Sequence, residues 1–238
     1  LLSALAMEQN DPNSISSIVT PKVIYGKNHP YGENKTQETL QNITLDDCLN
    51  YYQTYYKPNI AYLSVVGDIS VDEAKSIINE NFADWKKGDI PAFEYAKPQI
   101  PEGNQVIIVN RPEAVQSIVA LGHPVDIKIG SDDYIKARVM NTILGGGTFR
   151  LFSNLRETHG YTYGAGSSLN VHKIAGRFIA AAEVRNSVTD SSVYQILYEM
   201  KRLQNELVPD KELTLIKNYL SGQFALSLEN PQTVANFA

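Results

Sequence analysis

Apolar side chains recur at helical spacing over the first nine residues, LLSALAMEQ, and the pattern stops at Asp11-Pro12-Asn13-Ser14. A second amphipathic stretch covers 15–25. It ends in the turn cluster Gly26-Lys27-Asn28-His29-Pro30-Tyr31-Gly32, and a polar loop follows to Asn42. Thr44-Leu45-Asp46-Asp47 has the form of a capping box with Asp in place of Glu, which predicts a helix through Leu49, Tyr52 and Tyr55-Tyr56. Pro58-Asn59 stops that helix, because a proline biases its predecessor away from helical backbone. The β-rich run AYLSVV at 61–66 ends at Gly67-Asp68 and predicts a strand. Ser70-Val71-Asp72-Glu73 is a full capping box for a further helix through Ile77, Ile78 and Phe82.

Between 86 and 104 (KKGDIPAFEYAKPQIPEGN) the periodicity lapses. Pro91, Pro98 and Pro101 each fix their own φ and extend their predecessors, so this stretch is the linker candidate. Beyond it the pattern restarts. Strands are predicted over 105–109 and 116–121, flanking Arg111-Pro112, and a helix over 134–144. Gly145-Gly146-Gly147 interrupts before a helix through Leu151 and Leu155. A strand over 177–184, a long helix over 187–207 capped by Ser187-x-x-Asp190, and a helix over 211–228 complete the series. Helices and strands segregate, which predicts an α+β protein of two domains: 1–85, a linker at 86–104, and an incomplete second domain at 105–238.

Composition narrows the function classes. With 238 residues, 43% of them hydrophobic and 20% charged, the chain has ordinary globular make-up. A formal net charge of -5 lacks the basic stripe that nucleic-acid phosphates require, so no nucleic-acid partner is expected. No apolar run reaches the roughly 18 residues needed to cross a membrane. The single Cys48 excludes an internal disulfide and leaves the compartment open. The opening lacks an initiator Met or a basic signal region, and SLENPQTVANFA closes inside a helix start, so both ends read as cut.

Three constellations carry possible chemistry. His29, His123, His159 and His172 form no i, i+4 pair and no His-x-x-Glu-His, so no metal site is expected from this chain alone. Gly145-Gly146-Gly147 lacks the Gly-Lys-Ser/Thr of a phosphate loop, which leaves a flexible break or a mobile substrate-contacting loop. The stretch Leu155 to Gly164, LRETHGYTYG, is the densest in polar and aromatic residues. There Arg156 falls near a helix C-terminus, Gly160 suits the C′ position, and Tyr161 and Tyr163 alternate in an extended segment, facing one side. An ordinary capped helix end fits these residues. So does a guanidinium and a phenol converging on a carbonyl oxygen, both protonated donors at neutral pH.

Leu155-Arg156-Glu157 followed by Gly160 and Tyr163 resembles the LRE-x-x-G-x-x-Y signature of the pitrilysin/insulinase family of zinc metallopeptidases. His29-Pro30-Tyr31-Gly32, Tyr55-Tyr56-Lys57-Pro58-Asn59, Val65-Val66-Gly67-Asp68 and Leu144-Gly145-Gly146-Gly147 resemble further landmarks in the same order. The resemblance implies two related domains, each an antiparallel sheet packed by helices. It also implies that Arg156 and Tyr163 hold a substrate carbonyl near the catalytic zinc of the first domain, with Gly145, Gly146 and Gly147 as the substrate loop. A departure accompanies it. Aligned on Asn10-Asp11-Pro12, Ala4 stands where active members place a glutamate zinc ligand, with Glu8 one turn further on.

The resemblance is therefore strongest to the family's zinc-less subunits, which donate the Arg/Tyr grip to a zinc-bearing homologous partner. A peptide or unfolded polypeptide is the implied substrate, zinc belongs to the partner or to an upstream region, and a bacterial cell envelope or periplasm is the compartment by analogy. Two other functions are implied by the same family: an active zinc endopeptidase with its motif upstream, and a scaffold such as the respiratory-complex core proteins.

Overall fold

The computed structural model describes residues 1–8, 10–100 and 102–237, so Pro101 of the expected linker lies outside the described residues. The chain divides into two compact units, one of Leu1–Thr36 with Tyr95–Asn218 and the other of Gln37–Glu94 with Tyr219–Ala238. One division, Glu94/Tyr95, falls inside 86–104, but residues 1–36 are grouped with the later segment. The units are thus not the segments 1–85 and 105–238, whose assignment to two related domains stays a proposal.

In the first unit, α1 (Leu2–Glu8) is followed by α2 (Pro12–Tyr25). Asp11 caps α2 by accepting the Ser14 N–H at 2.7 Å, and Pro12 sits at the helix start, where its missing N–H costs nothing. The second unit supplies α3 (Gln37–Asn42), α4 (Leu45–Tyr55) and α5 (Val71–Phe82). The Thr44–Asp47 capping box forms as predicted: Thr44 Oγ1 accepts from Asp47 N–H at 3.2 Å, and Asp47 Oδ2 accepts from Thr44 N–H at 2.8 Å. The Thr44 hydroxyl, donating to Asp47 Oδ2 at 2.7 Å, and the Thr44 N–H hold the Asp47 carboxyl below its ordinary value. Ser70 caps α5 by accepting the Glu73 N–H. Residues 37–42, expected as loop, form α3 instead.

The sheet lies in the first unit. Its strands are β1 (Gln116–Val125), β2 (Thr162–Asn170) and β3 (Gly176–Arg185), antiparallel in the order β1-β3-β2. Along β3 the even residues Phe178, Ala180, Ala182 and Val184 are buried, and the odd ones turn to the other face, as a period of two demands. Onto this inner face pack α6 (Asp132–Gly145), α7 (Arg150–Phe152) with a π-helical turn (Ser153–Thr158), and α8 (Thr189–Asn205). Leu144, Leu151, Leu155 and Ile196 are sealed against the strand side chains. Each contributes roughly 1.5–3 kcal/mol of burial. A smaller cluster joins Ile24 and Tyr25 of α2 to Ala175, with His29 stacked on Tyr25 at 5.2 Å. The helices α9 (Asp210–Ser227) and α10 (Pro231–Phe237) follow.

The α+β class holds, with a small antiparallel sheet packed by helices. Two expected strands are absent from it. Residues 61–66 and 105–109 are not strands, and Tyr62, Val106 and Ile108 among them are more than four-fifths exposed. β-propensity expresses itself only where a neighbouring edge and a buried face are offered, and these runs find neither among the described residues. The long helix also begins later than expected. A 3₁₀ turn, Asn186–Val188, takes up Ser187, so α8 starts at Thr189 without a side-chain cap from Ser187.

Candidate functional site

Arg156 and Tyr163 sit on two backbone irregularities. Leu151 and Leu155, four residues apart, are fully buried and fasten α7 and the π turn to the sheet. Arg156 follows Leu155 and so turns outward, its side chain 46% exposed. The π turn closes through His159 N–H to Asn154 O at 3.1 Å. Gly160 then takes the left-handed conformation expected of a C′ residue, with φ +62°, and Tyr161 N–H reaches back to Leu155 O at 2.8 Å.

The second irregularity is in β2. Its register with β3 shifts between Thr162 and Ala165, so Tyr163 and Gly164 bulge from the ladder. The Thr162 hydroxyl stabilises the bulge, accepting from Gly164 N–H at 3.0 Å and donating to Glu183 O. Bulging breaks the expected equivalence of the two tyrosines. Tyr161 is half-buried and stacks on His159 at 4.9 Å, whereas Tyr163 is 86% exposed.

A direct bond links the two irregularities. Arg156 Nη1 donates to the Tyr163 carbonyl oxygen at 3.1 Å. The guanidinium carbon also lies 4.8 Å from the centre of the Phe152 ring, and Nε is 3.6 Å from Glu157 Oε1. The structure therefore joins Arg156 to the main chain of Tyr163 and leaves the phenol exposed.

The glycine run behaves differently. A side chain at Gly145 would place its Cβ 2.4 Å from Ser167 N, and one at Gly146 would come 2.7 Å from Thr142 Cα. Gly146 thus lies against Thr142 of α6 itself, whereas Gly145 lets the end of α6 lie directly on β2. Asn141 and Ser167 strengthen that contact, the Ser167 hydroxyl donating to Asn141 O at 3.1 Å. Gly147 is exposed in the bend that follows. The run thus meets β2 at Gly166 and Ser167, a short way along the strand from Tyr163.

Among the described residues no three His, Cys, Asp or Glu side chains converge. Ala4 has no donor atom, and Glu8 is paired with Lys35 at 2.7 Å. His29 is buried among tyrosine rings, its Nδ1 accepting from Tyr31 N–H.

Sequence patterns gave no sign of a polar cluster beside the π turn. Arg150 and Glu212 form a bidentate pair, both bonds 2.7 Å. Glu199 accepts from Asn154 Nδ2 at 2.8 Å and from Arg202 at 2.9 Å. These residues line a pocket of about 360 Å³ with Thr148, Ser153 and Thr158. Two acids offset two bases, and Glu199 and the Arg150 side chain are buried, so the cluster ties α7, α8 and α9 together. Of these contacts, the Glu199–Arg202 pair, three residues apart on one helix, is the one whose partners are close in sequence.

Comparison with known proteins bears on this geometry. The sequence profile described as "Peptidase M16 inactive domain" matches residues 42–220. The chain belongs to the peptidase M16 family. That agrees with the pitrilysin/insulinase resemblance. Among M16 relatives, "Uncharacterized zinc protease YmxG" of Bacillus subtilis is 26% identical over 230 residues, covering 95% of this chain and 54% of the relative. "Non-peptidase homolog YmxG" of Helicobacter pylori is 23% identical over 232 residues, covering 96% and 53%. A solved protease from Helicobacter pylori superposes with a TM-score of 0.86 at 22% identity, over 96% of this chain and 56% of its own, which shows a shared fold. The chain spans about half the length of the curated relatives it matches. Among the described residues no helix is long and apolar enough to cross a membrane.

Proposed function

We propose that this chain is a substrate-gripping, non-catalytic part of an M16 zinc peptidase, in which Arg156 and Tyr163 hold the polypeptide to be cleaved. The observation that carries the reading is the exposed guanidinium on a π turn, bonded to the carbonyl of a tyrosine that a β-bulge turns out to solvent. π turns and bulges cost regular hydrogen bonding and recur where a side chain must be re-aimed for function. A guanidinium keeps several N–H donors after one bond to Tyr163, and the Tyr163 hydroxyl adds another, so a peptide carbonyl finds donors on both sides. The zinc belongs to a homologous partner subunit or to a region upstream of these residues, since no three ligating side chains converge among the described residues. The substrate is an unfolded or extended polypeptide, and Gly147 with its neighbours contributes main chain beside it. The cell-envelope location expected from the sequence belongs to the same reading.

Photo-crosslinking tests it. A benzophenone amino acid at position 163 of the whole protein should capture fluorescein-labelled casein on irradiation. The same group at Tyr194, exposed elsewhere on the unit, should capture far less. Equal capture at both positions contradicts the reading and favours a scaffold of the same fold.

A further inference from the structure

We infer that Phe152 is the positioning residue for the Arg156 grip, its ring serving as the platform that aims the guanidinium at the substrate carbonyl. The inference rests on the function proposed above and adds a residue to it. Phe152 ends α7 and Arg156 lies one helical turn later, with the guanidinium carbon 4.8 Å from the ring centre. Leu151 and Leu155, each one residue earlier, are fully buried in the core. The core thus pins the backbone beneath both partners and fixes ring and guanidinium on one outer stripe of the helix. An arginine this exposed would otherwise sample many rotamers.

The platform also decides which donors remain available. A guanidinium carries five N–H groups, and the Phe152 ring has no nitrogen or oxygen acceptor to take a conventional hydrogen bond from any of them. One donor goes to Tyr163 O and Nε turns toward Glu157 Oε1. The remaining donors are left for an incoming carbonyl. Of the three described partners of Arg156, the ring is the one that takes no hydrogen bond the substrate could use.

Fluorination of the ring provides the test, because it drains the electron density that attracts a cation while leaving size and shape nearly unchanged. Phenylalanine at 152 is replaced in the whole protein by its mono-, di- and trifluoro forms. Binding of fluorescein-labelled casein is followed by anisotropy, with Arg156→Gln as the reference. Affinity should fall with each fluorine, by roughly two- to fivefold at three, the loss expected of an exposed cation–π contact. The Arg156 Hε resonance should lose its ring-current shift in Phe152→Leu and keep it in Phe152→Tyr, and the Tyr variant should bind like wild type. A flat fluorine series beside a weakened Arg156→Gln overturns the role of Phe152 and leaves the grip standing. Affinity that follows melting temperature and not fluorine count overturns it in the same way. If Arg156→Gln itself binds as wild type does, the grip fails, and the platform with it.

Discussion

Arg156 was readable from the sequence as part of a motif, but its surroundings were not. A π turn and a β-bulge leave no periodic trace, since each is a one-residue departure from an otherwise ordinary helix end and strand start. The bond from Arg156 to Tyr163 O and the contact with Phe152 follow from those departures. The glycine run was readable as unusual, with two uses left open. Structure gives Gly145 a packing task, because any Cβ there meets the main chain of β2 at 2.4 Å. Gly145→Ala should therefore destabilise the fold by about 1–3 kcal/mol, as overpacking does, through separation of α6 from β2. Chemical denaturation of the variant and the wild type measures this. An unchanged midpoint would mean that the glycine serves flexibility and not packing.

At the scale of elements, local signals performed well where they concerned one helix alone. The Thr44 box and the Gly160 C′ position depend on neighbours in sequence, and both appear as expected. The strands expected at 61–66 and 105–109 did not form, because a strand depends on partners elsewhere, which composition cannot supply. The Arg150–Glu212 tie between α7 and α9 joins residues far apart in sequence and was equally invisible. It has a pH signature. Hydrogen bonds from Arg150 hold the Glu212 carboxyl below its ordinary value, with burial opposing them. A depressed carboxyl stabilises the fold above the unfolded value, about 4.3 for glutamate, and that contribution is lost as pH falls through the lowered folded value. Wild type should exceed Glu212→Gln in stability by a constant margin above pH of about 5, and the margin should shrink below about 4. Unfolding curves at several pH values measure it, and a margin constant down to acid would remove the tie from the account.

For the whole molecule, the proposed function gives this chain the binding half of peptidase chemistry, and among the described residues no metal-ligating cluster forms. The two-domain division expected from the sequence can be probed directly. Limited proteolysis of the whole protein should cut within 86–104 before other loops, since a proline-rich stretch without amphipathic period buries little. Protection there while other loops are nicked would place the boundary elsewhere. The most direct measurement of the central claim compares cleavage and melting in the whole protein, mixed with the proposed zinc-bearing partner, for Arg156→Ala and Tyr163→Phe. An arginine that only caps a helix end contributes about 0.3–1 kcal/mol of stability. A donor that holds the reacting carbonyl contributes to turnover instead. The account predicts peptide cleavage reduced by roughly 10²–10³ in each variant, with Tm nearly unchanged. Normal cleavage in both variants, or a loss no larger than the loss of stability, would contradict it.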